Sequence, residues 1–383
     1  ARRVANCGSA AARMPWLLCP LLLLSRIPPP AAEFTPASPP LSPVDRAFSL
    51  GRHLLFDVAE HEQVNKQRRA LMFYLDLAMQ LDRVLVLPRV RLLRRSASSR
   101  VSFESAAEYV PWADLFNISR LGRAHAVVGL DEYVAQHGGV SLLLRRCQTG
   151  GPAAEVAFSG LAAPPLPAAR TSCASQPGLQ YQPAVLRKEH AATPSIAFAE
   201  SVDQLGAQRV APLRPYVRFV DRTYDEAAAF VRGAFAGKPF LALHWRRTDF
   251  HAVRRSHEWA LQSAADLIKH ARHAMRRHGL AGVYLATDSD DPAEMAEVQR
   301  ALRFARVRQK GGGSLRDRVE TANLEIAICA SATRFLGTRT SSFTLTILEE
   351  RRAVFGQSEE SGGEMGRPPE EEEAVVEGGK EEL

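Results

Sequence analysis

Two hydrophobic patterns alternate along the chain: short continuous apolar runs, and longer stretches in which apolar residues recur every three to four positions. Leu71, Leu75 and Ala78 recur at i, i+4 and i+7, which predicts a helix over 64–81 with one buried face. Strands are predicted at 53–58, 83–88, 240–244, 282–288 and 334–337. Because strands and helices alternate throughout, the sequence predicts parallel sheets.

Helix-end signals support this assignment. Thr223 and Glu226 have the spacing of a capping box, which predicts a helix beginning at Thr223. A long amphipathic helix is predicted over 256–279. The residues that open the next helix stand in their preferred cap, N1 and N3 positions: Asp291, Pro292 and Glu294.

The alternation predicts an α/β protein with two Rossmann-like domains, at 46–200 and 201–356. Residues 1–45 are predicted to be a signal peptide and a linker, because the apolar run Trp16–Leu24 is short for a bilayer span and is followed by Pro, Ala and Ser. A short uncleaved anchor is the main alternative. Residues 357–383 are acidic and of low complexity, which predicts a disordered tail.

Charge and terminal motifs indicate partners and location. The formal net charge is +7 although the tail is acidic, so the rest of the chain is strongly basic. A phosphorylated ligand, an anionic membrane or nucleic acid could explain this, but no Lys/Arg block with interleaved aromatic residues appears, and no nucleic acid is expected. The ending Lys380–Leu383 resembles a K-D-E-L retrieval signal, which predicts the lumen of the endoplasmic reticulum and a retrieval receptor as a partner. Asn117 opens a glycosylation sequon, usable only in the secretory pathway.

The cysteines fit an oxidising compartment in part. Cys147 and Cys173 flank a Pro/Ala/Gly-rich stretch and are predicted to form a disulfide. Cys329 lies in an apolar pattern and is predicted to be a buried free thiol. The spacing of Cys and His residues matches no zinc site, and no metal cofactor is expected.

Polar residues follow several predicted strands, and in open parallel sheets ligands bind at those carboxyl ends. In the second half these residues are His244–Asp249, Asp288 and Thr338–Ser342, and in the first half Glu60, Glu62 and Asn65. Arginine side chains, serine hydroxyls and a helix N-terminus that converge on one cleft would hold a pyrophosphate. Taken singly, the arginines could be surface ion pairs, the serines a helix cap and Asp288 a turn residue.

At these motifs the chain resembles the GDP-fucose protein O-fucosyltransferases. The resemblance covers about residues 50–356 and rests mainly on "HWRRTDF" and "GTRTSSFTLTILEERRAVFG", with "VYLATDSD" and the segment 62–88 in support. The last motif looks closest to the members that fucosylate thrombospondin type 1 repeats. The resemblance implies a GT-B fold, with two Rossmann-like domains facing a cleft, and an inverting transfer of fucose from GDP-fucose to Ser or Thr of folded thrombospondin type 1 or EGF-like repeats, without a metal.

The resemblance also implies residue roles. Arg246 matches the arginine that binds the β-phosphate, and Glu62 the proposed general base. The donor contacts implied by the motifs are Asn65, His244, Asp249, Asp288, Ser341, Ser342 and Phe343. Gln63 replaces the family's glycine after the base, and Glu60 is a second candidate, so the identity of the base stays open. Two alternatives to this function stay open. The protein could be a related glycosyltransferase that uses another nucleotide sugar or a glycan acceptor, or an inactive lumenal binding protein of the same fold.

Overall fold

The first half of the chain folds around a parallel sheet of six strands. The structure, a computed structural model, describes residues 48–57, 63–93, 108–146, 155–156, 158, 160, 165–174, 182–199, 211–247, 262–307 and 313–365. This first sheet has the order β5-β2-β1-β10-β6-β9. Its strands are β1 (His53–Leu55), β2 (Val84–Leu87), β5 (Val127–Gly129), β6 (Leu142–Arg146), β9 (Thr171–Ala174) and β10 (Ser195–Phe198). Two short antiparallel pairs accompany it: β3 (Val90–Leu92) with β4 (Glu108–Val110), and β7 (Glu155–Val156) with β8 (Leu166–Pro167).

A second parallel sheet, of four strands in the order β12-β11-β13-β14, forms the other half. Its strands are β11 (Phe240–Trp245), β12 (Gly282–Thr287), β13 (Arg334–Thr338) and β14 (Gly362–Met365). All pairings in both sheets are parallel, which confirms the predicted α/β class. The carboxyl ends of β11, β12 and β13 therefore lie at one edge of the second sheet.

Nine α-helices and three short 3₁₀ helices connect the strands in the described part of the chain. The α-helices are α1 (Val64–Leu81), α2 (Ile118–Leu121), α3 (Leu130–His137), α4 (Pro183–His190), α5 (Asp221–Phe235), α6 (Ala264–His278), α7 (Pro292–Leu302), α8 (Leu315–Ser331) and α9 (Ser342–Ala353). The 3₁₀ helices are Trp112–Asp114, Ala211–Tyr216 and Glu359–Ser361. Among the described residues, none of the helices has the length and hydropathy needed to cross a bilayer.

Where local signals decide helix ends, the sequence predictions are confirmed. Helix α1 has the predicted bounds, and Asp82 ends it in the left-handed region at φ 50°. Asp291 caps α7, since its Oδ1 accepts hydrogen bonds from the backbone N–H groups of Ala293 and Glu294. Cys329 is a fully buried free thiol, as predicted.

Two helix starts differ from the prediction. Helix α5 begins at Asp221 after Val220, so Thr223 lies inside the first turn and caps nothing. The backbone bridge between Phe116 and Phe219 fixes where this segment leaves the extended conformation, and this tertiary contact overrides the capping-box pattern. Helix α6 begins later than predicted, because Ser263 and Asp266 form a capping box at its start.

Strand β14 lies inside the stretch predicted to be a disordered tail. It pairs in parallel with β13, in the register Phe335 with Gly362 through Thr338 with Met365. The guanidinium of the buried Arg351 also donates to the carbonyl and the hydroxyl of Ser361, just before the strand. Backbone pairing and this arginine fix a segment whose composition is too polar and glycine-rich to predict a strand.

The two halves meet where α1 packs against α9. Glu350 of α9 is 0% exposed and accepts hydrogen bonds from Arg68 of α1 (3.5 Å), Arg214 and the hydroxyl of Tyr224. Arg69 pairs with Glu349 at 3.0 Å. One apolar cluster continues through this junction, from the first sheet to residues of α8, α9 and β13.

Candidate active site at the strand ends of the second sheet

One hydroxyl group joins the carboxyl ends of the two central strands, β11 and β13. The Thr338 Oγ1 donates to the backbone carbonyl of His244 at 3.0 Å and accepts the backbone N–H of Arg246 at 2.9 Å. At the end of β12, Asp288 accepts the backbone N–H of Arg247 at 2.7 Å. The three polar stretches that the sequence places after strands are therefore fixed to one another by hydrogen bonds.

The tandem arginines have different environments. Arg247 is 12% exposed; its guanidinium pairs with Glu294, donates to the carbonyl of Gln262 at 3.0 Å and stacks over the Trp245 indole. Arg246 is 23% exposed, and its Nε lies 3.2 Å from Asp288 Oδ2. Since Arg247 has its donors directed into the fold, Arg246 is the arginine better placed for a ligand at the strand ends.

His244 is buried between the strand ends and the start of α9. Thr344 Oγ1 donates its single proton to the carbonyl of Thr338 at 2.9 Å, so it accepts the proton of His244 Nδ1 at 2.8 Å. Burial lowers the pKa of His244 to about 3, with the positive charge of Arg246 as the second cause. The imidazole is therefore neutral and presents Nε2 as a hydrogen-bond acceptor.

The loop between β13 and α9 is shaped around this edge. Thr340 has φ +62°, a left-handed conformation that costs a non-glycine residue energy and occurs at functional sites. Gly337 lets α9 approach the strand, because a Cβ there would lie 2.5 Å from Thr344 Cγ2. Ser341 stands at the N-cap of α9 without a side-chain capping hydrogen bond.

The start of α9 provides further donors for an anion. The first backbone N–H groups of a helix have no partner within the helix, and the helix dipole favours negative charge there. Ser342 and Phe343 belong to this first turn. The Phe343 ring lies 4.7 Å from the His244 ring, centroid to centroid, so the aromatic pair borders the same edge.

Two residues near Asp288 were missed in the sequence analysis. Arg306 donates to the carbonyl of Thr287 at 3.0 Å, one residue before Asp288. Burial raises the pKa of Glu325 to about 7, with the positive charge of Arg306 acting against this and the negative charge of Asp288 reinforcing it. Glu325 interrupts the apolar run of α8, which is the one signal the sequence offered for it.

The remaining predicted site residues lie elsewhere or outside the described residues. Asn65 occupies the first turn of α1 and is half-buried. Glu60, Glu62 and Asp249 lie outside the described residues, as does the predicted partner of Cys173 in a disulfide, Cys147. Within the described ranges, no group of three or more His, Cys, Asp or Glu side chains is arranged to hold a metal ion.

The site can bind an oxyanion and stabilise growing negative charge. A guanidinium held by a carboxylate next to a helix N-terminus suits a phosphate group. The neutral His244 adds an acceptor, and the partly exposed Asp288 a carboxylate, for a polar group of the same ligand. These features define a phosphate- or nucleotide-binding site at the strand ends of an α/β protein.

The comparisons with known proteins identify the family. The model of the family described as GDP-fucose protein O-fucosyltransferase matches residues 63–354, so the chain belongs to that family. This confirms the resemblance seen in the sequence motifs.

Similar curated proteins carry the name GDP-fucose protein O-fucosyltransferase 2. The Caenorhabditis elegans protein is 30% identical over 125 residues, which are 31% of this chain and 27% of that protein. The Homo sapiens protein is 32% identical over 131 residues, 32% of this chain and 28% of that protein. The Drosophila melanogaster protein is 29% identical over 182 residues, 42% of this chain and 34% of that protein. The matches span about a quarter to a third of the relatives' length.

The solved structures support the fold. POFUT1 in complex with GDP-fucose superposes with a TM-score of 0.63 at 18% identity, over 83% of this chain and 99% of that chain. POFUT1 in complex with GDP gives a TM-score of 0.64 over the same shares. The likeness confirms the predicted GT-B class of fold.

Proposed function

We propose that the protein transfers fucose from GDP-fucose to a Ser or Thr hydroxyl of a folded protein repeat, with inversion at the sugar carbon. The observation that carries the proposal is Arg246, which pairs with Asp288 at 3.2 Å and whose backbone N–H binds Thr338, at the strand end that leads into α9, in a chain of this family. A guanidinium in this position would receive the charge that a diphosphate gains on leaving.

The reaction needs three changes at the donor sugar. The acceptor oxygen attacks the anomeric carbon from the side opposite the diphosphate, the bond from that carbon to the phosphate oxygen breaks, and GDP leaves with the electron pair. The proton of the acceptor hydroxyl passes to a carboxylate. Arg246 and the first-turn N–H groups of α9 stabilise the departing β-phosphate, because its negative charge is larger in the transition state than in the bound donor.

The remaining donor contacts follow from the geometry and the family motifs. His244 Nε2 accepts a hydrogen bond from the donor, and Asp288 both orients Arg246 and contacts the nucleoside. Ser341, Ser342 and Phe343 bind the phosphates and the nucleoside. Asn65, in the first turn of α1, contacts the donor from the side of the first sheet, and Asp249 completes the motif that begins at His244.

The general base is Glu62 or Glu60. Glu62→Ala lowers turnover on a protein acceptor while GDP affinity stays within about twofold, because a base contacts the acceptor hydroxyl and not the nucleotide. Glu60→Ala is the matched control, two residues away. A loss of turnover in Glu60→Ala alone would transfer the role to Glu60, and loss in neither would reject a base in this segment.

The location, the partners and the absence of a metal are parts of the same proposal. The protein resides in the lumen of the endoplasmic reticulum, where a retrieval receptor binds Lys380–Leu383. Deleting these four residues therefore sends the protein to the medium, and unchanged intracellular retention would contradict this. Because Arg246 and α9 stabilise the diphosphate, EDTA leaves turnover unchanged.

The decisive experiment incubates the protein with GDP-fucose and with separately folded thrombospondin type 1 and EGF-like repeats, and measures acceptor mass. One added fucose on a repeat supports the proposal and names the acceptor class. GDP raises the melting temperature of the protein, whereas UDP does not. Stabilisation by GDP with no transfer to any repeat would favour a binding protein of the same fold, and stabilisation by UDP alone a different donor.

A further inference from the structure

A second group of positively charged side chains lies far along the second sheet from the candidate active site. Helix α6 packs on the face of the sheet that carries Leu241 and Leu243, whereas Ile347 of α9 packs with Ala242 on the other face. Arg334 begins β13, and the candidate site lies at the opposite end of that strand. The group is therefore separate from the strand-end site.

The group surrounds a cavity of about 80 Å³ between α6 and the edge of the sheet. The lining residues come from three elements. They are His270, His273, Ala274, Arg277 and His278 of α6, Arg334 and Leu336 of β13, and Glu364 and Met365 of β14.

The α6 residues form one stripe of the helix. His270, His273, Ala274 and Arg277 recur at i, i+3, i+4 and i+7, a spacing that places them on the same face. The core-facing residues of α6 are Ala264, Leu267, Ala271 and Ala274, so the basic residues border this buried stripe. The small side chain of Ala274 leaves space between the longer basic ones.

Positive groups in the cavity lie close enough to oppose one another. Burial lowers the pKa of Arg334, and the neighbouring charge of Arg277 lowers it further. Burial also lowers the pKa of His278, followed by the charges of Arg334 and Arg277. Glu364 is the one carboxylate among the lining residues, and it is shared with Arg339, whose Nε lies 3.8 Å from it. The charge of Glu360, in the 3₁₀ helix before β14, partly offsets the lowering of the pKa of Arg334.

We propose that this cavity binds the oxyanion group of a phosphate ester or of a sulfated sugar. Three arginines, Arg277, Arg334 and Arg339, outnumber the two carboxylates that act on them, Glu360 and Glu364, so the cavity has excess positive charge. A bound anion reduces the repulsion between its walls. A guanidinium binds two oxygens of such a group at once. The cavity volume is a few times that of a water molecule, about 30 Å³, which suits a single tetrahedral anion.

The test is calorimetric titration of the full-length protein with sodium sulfate, with GDP at saturation so that the strand-end site is occupied. We expect one saturable site. Arg277→Gln weakens sulfate binding at least tenfold, whereas Arg276→Gln, the adjacent exposed arginine outside the cavity, changes it less than twofold. Melting temperatures establish that both variants are folded. Equal weakening by the two variants, or no saturable binding, would overturn the proposal.

Two further ligands distinguish the source of the anion. A simple sugar phosphate and a sulfated disaccharide are titrated under the same conditions, and the one that binds more tightly identifies the class. The same titrations on Arg246→Ala separate this site from the proposed activity. Sulfate binding at the α6 cavity is unchanged in that variant even if fucose transfer is lost, and a parallel loss would place the anion at the strand ends instead.

Discussion

Replacing each of the tandem arginines separately tests the division of roles between them. Arg246 pairs with the partly exposed Asp288 at 3.2 Å, and such partly solvated pairs contribute about 0–1 kcal/mol to stability. If it stabilises the departing phosphate, its loss removes an interaction that typically gives a factor of about 10²–10³ in rate. We expect Arg246→Ala to lose fucose transfer to that extent and to keep its melting temperature within a few degrees.

For Arg247→Ala we expect the opposite: a clear loss of stability and no specific loss of fucose transfer. The change leaves the Glu294 carboxylate without its guanidinium partner, removes the hydrogen bond to the Gln262 carbonyl and uncovers the buried Trp245 indole. Losing hydrogen bonds to a charged group costs about 1.5–3 kcal/mol. Arg247→Ala therefore lowers the urea midpoint clearly, and any loss of activity follows the fraction of protein that is unfolded.

The assay measures turnover with GDP-fucose, GDP affinity and urea denaturation for both variants. Arg246→Lys is the conservative control and does not restore transfer, because lysine lacks the planar fork that binds two phosphate oxygens. Arg352→Ala, an exposed arginine at the far end of α9, is the neutral control. Wild-type turnover in Arg246→Ala would refute the proposed role of the strand-end site, and a stable but inactive Arg247→Ala would exchange the roles of the two arginines.

Three further predictions follow from buried contacts. Glu350→Ala destabilises the protein by about 3–5 kcal/mol, measured by urea denaturation, because it removes the main counter-charge of the buried Arg68 and Arg214. Glu359→Ala, at a carboxylate that is 77% exposed, costs about 1 kcal/mol or less, and equal effects of the two changes would contradict this. Gly337→Ala forces the new Cβ against Thr344, which lowers the free energy of unfolding by about 1–3 kcal/mol and weakens GDP binding. Gly363→Ala, whose Cβ would have its nearest contact at 3.5 Å, is tolerated and is the control. Unchanged GDP affinity in Gly337→Ala would show that the contact with Thr344 does not shape the site. His244 is neutral in the folded protein and gains a proton in the unfolded chain below its ordinary pKa of about 6.5, so its contribution to stability is complete above pH 6.5 and is lost as the pH falls toward 3. We expect the urea midpoint of the wild type to fall more steeply over that range than the midpoint of His244→Gln. Parallel curves for the two proteins would contradict the lowered pKa.

Local signals predicted the fold where they are not opposed by distant contacts. The bounds of α1 and the cap of α7 depend on residues within one turn of the helix end, and the sequence contains those residues. The start of α5 depends on Phe116, about a hundred residues away, so the local capping pattern at Thr223 was misleading. Strand β14 depends on pairing with β13 and on Arg351, neither of which a hydropathy pattern can express.

The site could be predicted as a set of strand ends but not as a geometry. Parallel β-α alternation places the residues after β11, β12 and β13 at one edge, which was enough to group His244, Arg246 and Asp288. Glu294 and Gln262, which come from separate segments, bind the guanidinium of Arg247, so the sequence alone could not distinguish the two arginines. Glu325 and Arg306 were missed for the same reason, since only the folded chain brings them close to Asp288.

The long motif that begins at Gly337, near the end of β13, has two structural roles. Its first part, from Gly337 to Thr344, contributes to the strand-end site. Its second part carries Glu350 and Arg351, which lie about two turns further along α9. Glu350 binds Arg68 of α1, one helical turn from Asn65. Buried, charge-assisted contacts therefore fix the helix that would bind the diphosphate to the helix that follows the candidate base. In the proposed transfer, the nucleophile and the leaving group must be held in line. The buried contacts between α1 and α9 would hold the segments that carry the two groups in a fixed relation.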